Sequence, residues 1–144
     1  MNISERLFNI NADKAANNLT IGNAFLAANK HKPNVVELPS GLQYEILVQG
    51  DGPLPTESNK VTCHYHGTLV DGTVFDSSVQ RGKPAAFPLN MVIKGWTEGL
   101  QLMNVGSKWR FYIPSHLGYG DRQVGPVIGP NSTLILEVEL LDIN

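Results

Sequence analysis

Two histidines and a cysteine share one short run of the sequence, and these residue types bind metals or act as nucleophiles. His64 and His66 are two positions apart, so on a strand their side chains share one face. A zinc site needs three or four ligands, and His116 is a distant third candidate. Cys63 precedes His64 directly, and strand alternation directs these two side chains to opposite faces. The run therefore predicts neither a metal site nor a Cys-His nucleophile.

A second group of reactive residue types lies beside turns. Asp76 follows Phe75 at the end of an apolar run, where it either forms a turn with the amides of Ser77 or Ser78 or serves a site. Tyr119 stands between glycines in "GYG", a poor position for a sheet core, and its hydroxyl is a hydrogen-bond donor suited to a cleft. The serines lack the context of a hydrolase nucleophile, and the glycines lack phosphate-loop or dinucleotide spacing. Hydrolase, kinase and dehydrogenase sites thus lack the residues they need.

Large apolar residues occupy the N-terminal end of a predicted helix in "NMVIKGWTEGLQLM". Val92, Ile93 and Trp96 lie where a turn meets the helix, although core residues usually lie inside elements. Taken singly, an aromatic residue belongs to a hydrophobic core more often than to a ligand site. Two interpretations stay open at this point: ordinary packing, or an apolar pocket that a ligand enters.

Composition limits the classes of partner. The 144 residues suit one domain with a single core, and the formal net charge is -2, with 11 scattered Lys and Arg residues that predict no nucleic-acid partner. No apolar run approaches the roughly 20 residues that span a bilayer, and the N-terminus lacks the features of a secretory signal, so no membrane partner is expected. The single cysteine fits a reducing compartment. We expect a cytoplasmic protein, or a periplasmic one if the chain is a processed form.

From Leu42 onward, apolar and polar residues alternate with a period of two, which is typical of half-buried strands. The inward positions of the three clearest runs are Val61, Cys63 and Tyr65; Trp109, Phe111 and Ile113; and Leu134, Leu136, Val138 and Leu140. Gln43 to Gln49 and "TVFD" are further candidates, and turn signals separate the runs. One helical pattern, Trp96, Leu100 and Met103, stands among them. The region is predicted to be α+β, with an antiparallel sheet and one short helix against a face.

Residues 4 to 32 show no strand-like alternation and are predicted to form an amphipathic helix. Asp13 is the predicted cap, the cations of 30–32 suit the last turn, and Pro33 stops the helix. The apolar positions are Leu7, Phe8, Leu19, Ile21, Phe25 and Leu26. A helix this short is marginal in water, so these positions need cover from the main domain or from a second copy of the chain. A monomer with the arm frayed or docked is favoured over a homodimer through the arm.

From Ser40 to Ile143 the chain closely resembles the FKBP family of peptidyl-prolyl cis-trans isomerases. The motifs that carry the resemblance are "SGLQYEIL", "VTCHYHGTLVDGTVFDSS", "VIKGWTEGLQLM" and "STLILEVELLDI". They occur in the family's order and look like its bacterial branch related to the macrophage infectivity potentiator. The preceding "GNAFLAANKHKPNVVELPSG" resembles the end of a helical linker that joins such domains to a dimerisation module, which this chain would lack or carry in reduced form.

The resemblance implies a five- or six-stranded antiparallel sheet wrapped around one short helix, with an apolar pocket between them. It implies a helical arm over residues 1–38 and an isomerase domain over residues 39–144. The family's pocket residues map onto Tyr65, Phe75, Asp76, Phe87, Val92, Ile93, Trp96, Tyr119 and Ile128.

The resemblance also implies roles for four of these residues. Trp96 would form the pocket floor with its indole, and Val92 and Ile93 would line a wall. The amide of Ile93 and the hydroxyl of Tyr119 would each donate a hydrogen bond to a carbonyl of the bound chain.

Asp76 would orient polar groups near the wall, with Arg81 close to it. Leu136 occupies a position that is commonly aromatic in the family, so the pocket is expected to be roomier on that side. Gly129 replaces a proline that often precedes Pro130, which puts the stiffness of the covering loop in question.

The implied function is the isomerisation of X-Pro bonds in peptides and folding proteins, without a cofactor or a metal. The resemblance also implies that macrolide inhibitors such as FK506 and rapamycin bind. Leu136 and Gly129 motivate an alternative, in which the pocket holds apolar client segments as a chaperone with little turnover.

Overall fold

The computed structural model describes the backbone of residues 3–144 and the side chains from residue 13 onward. A long helix, α1 (Ile3–Asn29), precedes one seven-stranded antiparallel sheet. The strands are β1 (Val35–Glu37), β2 (Gln43–Val48), β3 (Lys60–Leu69), β4 (Val74–Ser77), β5 (Ala85–Pro88), β6 (Lys108–Ile113) and β7 (Leu134–Ile143). The other helices are α2 (Ser78–Arg81), α3 (Lys94–Leu100) and the 3-10 turns Leu89–Met91 and Ser115–Leu117.

The strand order is β1-β2-β6-β7-β3-β4, with β5 also paired to β3. The longest pairing joins β3 to β7, from Val61 opposite Ile143 to Leu69 opposite Leu134. The predicted α+β class and antiparallel sheet are confirmed, but the sheet has seven strands and not five or six. The additional strands are β1, with three residues, and β5, with four, which are too short to show a clear alternation.

The predicted inward positions of β3, β6 and β7 form the core of the sheet. Val61, Cys63, Val138 and Leu140 have no exposed surface. The helix α3 packs closely against the same side, because its glycines leave room for side chains of β6. Met103, predicted as part of this helix, lies beyond its end but is fully buried.

The C-terminal half of α1 covers the outer face of the sheet at β2 and β6. Gln43 and Tyr112 point to this face, yet Gln43 has no exposed surface and Tyr112 only 4%. The side-chain amide of Asn29 donates a hydrogen bond of 2.8 Å to Oε1 of Gln43, whose own amide donates to the carbonyl of Leu26 at 2.9 Å. The rings of Phe25 and Tyr112 are 5.9 Å apart. This end of the helix is therefore docked onto the domain.

The bounds of α1 differ from the prediction at both ends. Asp13 is exposed and lies inside the helix, so the prediction that it caps the N-terminus is wrong. An exposed Asp costs an α-helix only a fraction of a kcal/mol, about 0.7 at most, which does not end a long helix. The cations of 30–32 follow the helix and are not part of its last turn, because Asn29 is held by β2 and the chain then turns into β1.

The apolar positions predicted for the arm are only partly covered. Leu26 is buried, but Leu19 and Ile21 are 42% and 56% exposed. The side chains of Leu7 and Phe8 lie outside the described residues. Among residues 3–144, no helix combines the length and the apolar character that crossing a bilayer requires.

Candidate functional site

A cavity of 760 Å³ opens between α3, strands β3, β4, β5 and β7, and the segment from His116 to Arg122. The lining residues are Tyr65, Phe75, Asp76, Phe87, Met91, Val92, Ile93, Lys94, Trp96, His116, Gly118, Tyr119, Gly120, Asp121, Arg122, Leu134 and Leu136. Ten of these 17 residues are aromatic or large and apolar, whereas Lys94, Asp121 and Arg122 belong to exposed positions. Such a cavity suits an apolar ligand that is oriented by a few polar groups.

Three aromatic rings form the base of this cavity. The ring centroid of Trp96 is 5.4 Å from that of Tyr65 and 5.0 Å from that of Phe87, both in edge-to-face geometry. The rings of Tyr65 and Phe87 are 6.2 Å apart. Mutual edge-to-face packing favours fixed ring orientations, so the base is preformed. Trp96 reaches this position because α3 begins only two residues before it.

Two hydrogen-bond donors stand at the cavity without a partner in the described part of the chain. Ile93 is extended and precedes α3, and its carbonyl accepts hydrogen bonds from the amides of Trp96 and Thr97 at 3.0 and 3.2 Å. Its own amide precedes the first turn of the helix, where intrahelical acceptors are lacking. The hydroxyl of Tyr119 is the second such donor. Both could donate to acceptor oxygens of a bound ligand.

The polar part of the wall is a triangle of Tyr65, Asp76 and Arg81. The hydroxyl of Tyr65 donates to Oδ2 of Asp76 at 2.6 Å and accepts from Nη2 of Arg81 at 2.9 Å. Nη1 of Arg81 forms an ion pair with Oδ1 of Asp76. Arg81 belongs to α2, which Ser77 caps by accepting from the amide of Gln80 at 3.1 Å.

The protonation states of this triangle follow from the same contacts. Burial by itself would raise the pKa of Asp76, but hydrogen bonds from Tyr65 and Arg81 outweigh it and hold the pKa below its usual value. Burial, followed by the hydrogen bond to Asp76, raises the pKa of Tyr65. At neutral pH the wall therefore carries an ionised carboxylate and a protonated phenol.

The wall formed by Phe75 and Leu136 depends on a glycine that is not part of the cavity lining. A Cβ atom at Gly67 would lie 2.5 Å from Cζ of Phe75 and 2.9 Å from Cδ2 of Leu136. Both distances are below any normal carbon contact, so only glycine leaves these two side chains in their observed positions.

The structure brings the predicted site residues together around one cavity, with two exceptions. Arg81 is not part of the lining and contacts the site through Asp76 and Tyr65. Ile128 is 6% exposed and belongs to the hydrophobic core, not to the cavity wall. Its carbonyl accepts a hydrogen bond of 2.8 Å from the amide of Val124, which closes the loop between these two residues.

Sequence reasoning missed several lining residues. Met91 is 79% exposed at the rim, and Lys94 follows Ile93 in the first turn of α3. His116 and Arg122 lie on either side of Tyr119. These residues are neighbours in sequence of the predicted site residues, and that was the available signal. Exposed polar residues near a turn show no sequence pattern that distinguishes the rim of a cavity from ordinary protein surface.

The histidine pair lies away from this cavity. Nδ1 of His64 is 2.9 Å from the hydroxyl of Ser78, and Nδ1 of His66 is 2.9 Å from that of Ser77. Across residues 13–144, no three His, Cys, Asp or Glu side chains are grouped so that they could hold a metal ion.

Comparison with known proteins gives two family matches along the chain. Residues 52–141 match the family described as FKBP-type peptidyl-prolyl cis-trans isomerase. Residues 1–46 match the domain amino terminal to FKBP-type peptidyl-prolyl isomerase.

Individual relatives agree with these matches. The chain is 55% identical over 130 residues to Outer membrane protein MIP of Legionella longbeachae, covering 90% of this chain and 56% of the relative. It is 53% identical over 122 residues to the FKBP-type 22 kDa peptidyl-prolyl cis-trans isomerase of Escherichia coli, covering 85% and 59%. The chain thus spans about half the length of these curated relatives.

Two solved structures share the fold. The crystal structure of FkpA from Escherichia coli matches with a TM-score of 0.89 and 41% identity, covering 92% of this chain and 62% of that one. A peptidyl-prolyl cis-trans isomerase from Pseudomonas syringae matches with a TM-score of 0.84 and 39% identity, covering 90% and 96%.

Proposed function

Because the chain belongs to the family of FKBP-type peptidyl-prolyl cis-trans isomerases, we propose that it accelerates the rotation of X-Pro bonds in peptides and in folding proteins. The observation that carries the proposal is the preformed aromatic base around Trp96, together with two lining donors that have no partner among the described residues. Residues 39–144 are the proposed catalytic domain, and residues 1–38 are the arm.

The barrier to this rotation is the loss of amide resonance, about 18–20 kcal/mol. A planar amide carries separated charge that water stabilises, whereas the twisted amide has lost much of that charge separation. A water-poor aromatic cavity therefore favours the twisted form over either planar ground state, which is differential binding without a nucleophile. Each 1.4 kcal/mol of that difference gives about a tenfold increase in rate.

Each proposed role rests on the geometry of the cavity. The proline ring packs on Trp96 between Tyr65 and Phe87. The amide of Ile93 and the hydroxyl of Tyr119 bind carbonyl oxygens on either side of the rotating bond. These contacts hold the flanking chain while the bond turns, and no covalent bond is made or broken.

The polar wall has a supporting role in the proposal. Asp76 is held ionised by Tyr65 and Arg81, so it presents a fixed negative charge near the rotating amide. That charge repels the partly negative carbonyl oxygen of the amide, so it favours orientations in which the oxygen has turned away from the wall. Leu136 and Phe75 form the apolar side that faces it.

A protease-coupled assay on a proline-containing peptide tests the proposal. We expect a first-order acceleration that grows linearly with protein concentration and an acceleration of a proline-limited refolding phase, which takes tens of seconds without catalyst. A rate equal to background with folded protein in excess would overturn the isomerase proposal.

A second candidate function is client binding with little turnover. The exposed rim residue Met91 favours it, because methionine side chains adapt to varied apolar segments. A Tyr119→Phe or Asp76→Leu variant that no longer isomerises but still suppresses aggregation of an unfolded client would support this function. Parallel loss of both activities would count against it.

Macrolide binding is a further part of the proposal. The cavity volume of 760 Å³ and its aromatic base suit FK506 or rapamycin. A titration followed by tryptophan fluorescence tests this, since Trp96 lies in the cavity whereas Trp109 is buried in the core. A saturable change that disappears in Trp96→Leu is expected, and an unchanged signal at high ligand concentration would oppose it.

The location and the oligomeric state also remain proposals. The comparisons give no support to the cytoplasmic location expected from the sequence. We favour the periplasm, because one relative is named an outer membrane protein. A monomer is proposed because the second half of α1 is docked on its own domain. Fractionation of the native cells and light scattering of the intact chain test these two statements.

A further inference from the structure

We propose that α1 is a positioning element of the cavity, which it braces through Asn18 and the segment 129–131. The inference rests on the proposed isomerase function and extends it to a helix that does not line the cavity. It concerns how firmly the Tyr119 side of the cavity is held before a substrate binds.

Two reciprocal hydrogen bonds join the helix to this segment. The side-chain amide of Asn18 donates to the carbonyl of Pro130 at 2.8 Å. The side-chain amide of Asn131 donates back to the carbonyl of Ala15 at 3.3 Å. Pro130 is buried, and its carbonyl therefore depends on the helix for a partner.

A direct chain of contacts runs from this junction to the cavity. Asn131 adopts a left-handed backbone conformation, with a φ of 57°. Its amide donates to the carbonyl of Gly120 at 2.8 Å, and both Gly120 and Tyr119 line the cavity. A displacement of Asn131 therefore acts on the residue next to the Tyr119 donor.

The close approach of helix and loop explains the glycine at position 129. A Cβ atom on Gly129 would lie 2.9 Å from Nδ2 of Asn18 and 2.9 Å from Cε of Lys14. A side chain at this position would displace the Asn18 amide and the end of the Lys14 side chain. Glycine at position 129 thus leaves the space in which Asn18 reaches the carbonyl of Pro130.

The brace acts on ligand binding more than on rotation. A segment already held by α1 loses less conformational freedom when a peptide binds to Tyr119. Without the brace, that ordering occurs during binding and raises KM, while kcat changes little. The net worth of one hydrogen bond corresponds to a two- to tenfold change in affinity.

The first experiment compares Asn18→Ala with Asn17→Ala in the full chain. Asn17 is exposed on the same helix, so both changes give the same gain in helix propensity. We expect Asn18→Ala to raise KM for a proline peptide two- to tenfold with kcat within a factor of two, and to speed hydrogen exchange at the Asn131 amide. Asn17→Ala should change neither quantity.

The second experiment is a double-mutant cycle of Asn18→Ala with Gly129→Ala. If the added methyl acts by displacing Asn18, its effect on KM is smaller when Asn18 is already alanine. A merely structural role would lower the thermal midpoint and leave KM unchanged at temperatures where both variants are folded.

The outcomes separate the two proposals. Equal KM and equal Asn131 exchange in the Asn18 and Asn17 variants, or fully additive effects in the cycle, overturn the brace while wild-type activity keeps the isomerase proposal. An inactive wild type overturns the isomerase proposal, and the exchange measurement still decides whether α1 holds the loop.

Discussion

The hydroxyl of Tyr65 donates a 2.6 Å hydrogen bond to Oδ2 of Asp76, and both residues line the cavity. Arg81 contacts both groups from outside the lining. The negative charge of the wall is therefore fixed by a phenol and a guanidinium, and its orientation does not depend on a bound ligand.

Removal of the phenol hydroxyl tests the importance of this relationship. Tyr65→Phe leaves the ion pair of Asp76 with Arg81 but removes the hydrogen bond to Oδ2, so the carboxylate group is held less firmly. We expect kcat/KM for a proline peptide to fall about three- to tenfold, since the lost bond is charge-assisted and only partly buried. Tyr44→Phe is the matched control, because Tyr44 stacks on Trp109 and does not line the cavity. Equal losses in both variants would show that the hydroxyl of Tyr65 has no specific role.

The lowered pKa of Asp76 predicts an acid-sensitive contribution to stability. A carboxyl whose folded pKa is depressed stabilises the fold above its unfolded pKa, about 3.9, and loses that contribution as the pH falls through the folded pKa. The difference in unfolding free energy between wild type and Asp76→Asn should therefore shrink between about pH 5 and pH 2. Urea unfolding at several pH values measures it. A difference that stays constant over this range would contradict the assignment.

Burial raises the pKa of the Cys63 thiol to about 12, and its side chain has no exposed surface. The contribution of the protonated thiol is fully present below the unfolded pKa, about 8.5, and is lost as the pH rises toward the folded value. Wild type should lose stability relative to Cys63→Ala above about pH 9, by up to about 1.4 kcal/mol per pH unit. Independently, a thiol reagent at neutral pH should label only unfolded protein. Fast labelling of the native chain would refute the burial of this thiol.

The substitution Asn29→Ala tests the docking of α1 on β2 separately from its contact with the segment 129–131. Asn29→Ala leaves Oε1 of Gln43 buried without its donor. The cost of an unsatisfied buried acceptor is about 1–3 kcal/mol. We expect the lower end, because Oδ1 of Asn29 is itself buried without a partner among the described residues and the substitution removes it. Chemical denaturation gives the value, with Asn17→Ala on the same helix as reference. Equal stability of the two variants would mean that the amide pair does not hold the helix.

The sheet was predictable where a strand has one buried face. Along β3, Val61, Cys63 and Tyr65 alternate with polar residues, and the structure buries the same three. The short strands β1 and β5 were not predictable, since each is defined by its pairing with a longer strand and not by its own pattern.

A docked arm was among the sequence expectations, but the surface on which α1 docks was not predictable, because the residues that it covers are polar. Gln43 and Tyr112 occupy outward positions of their strands, and such residues usually face water. Their burial depends on a helix that is distant in the chain and offers amides and one aromatic ring, not a continuous apolar stripe.

The candidate site was predicted largely through family resemblance, and Ile128 is a predicted pocket residue that the cavity lining does not include. Trp96 and Phe87 are large aromatics at fixed places in motifs, and both line the cavity. Ile128 follows a loop whose path depends on the local bond to Val124, and motif order does not specify that path.

Gly67 determines where the side chains of Phe75 and Leu136 lie in the wall of the cavity. Since Phe75 and Leu136 occupy the space that a Cβ atom of this residue would need, a single methyl group added there would displace at least one of them. The shape of the cavity can therefore change through a residue that is not part of its lining, while every lining residue keeps its chemical identity.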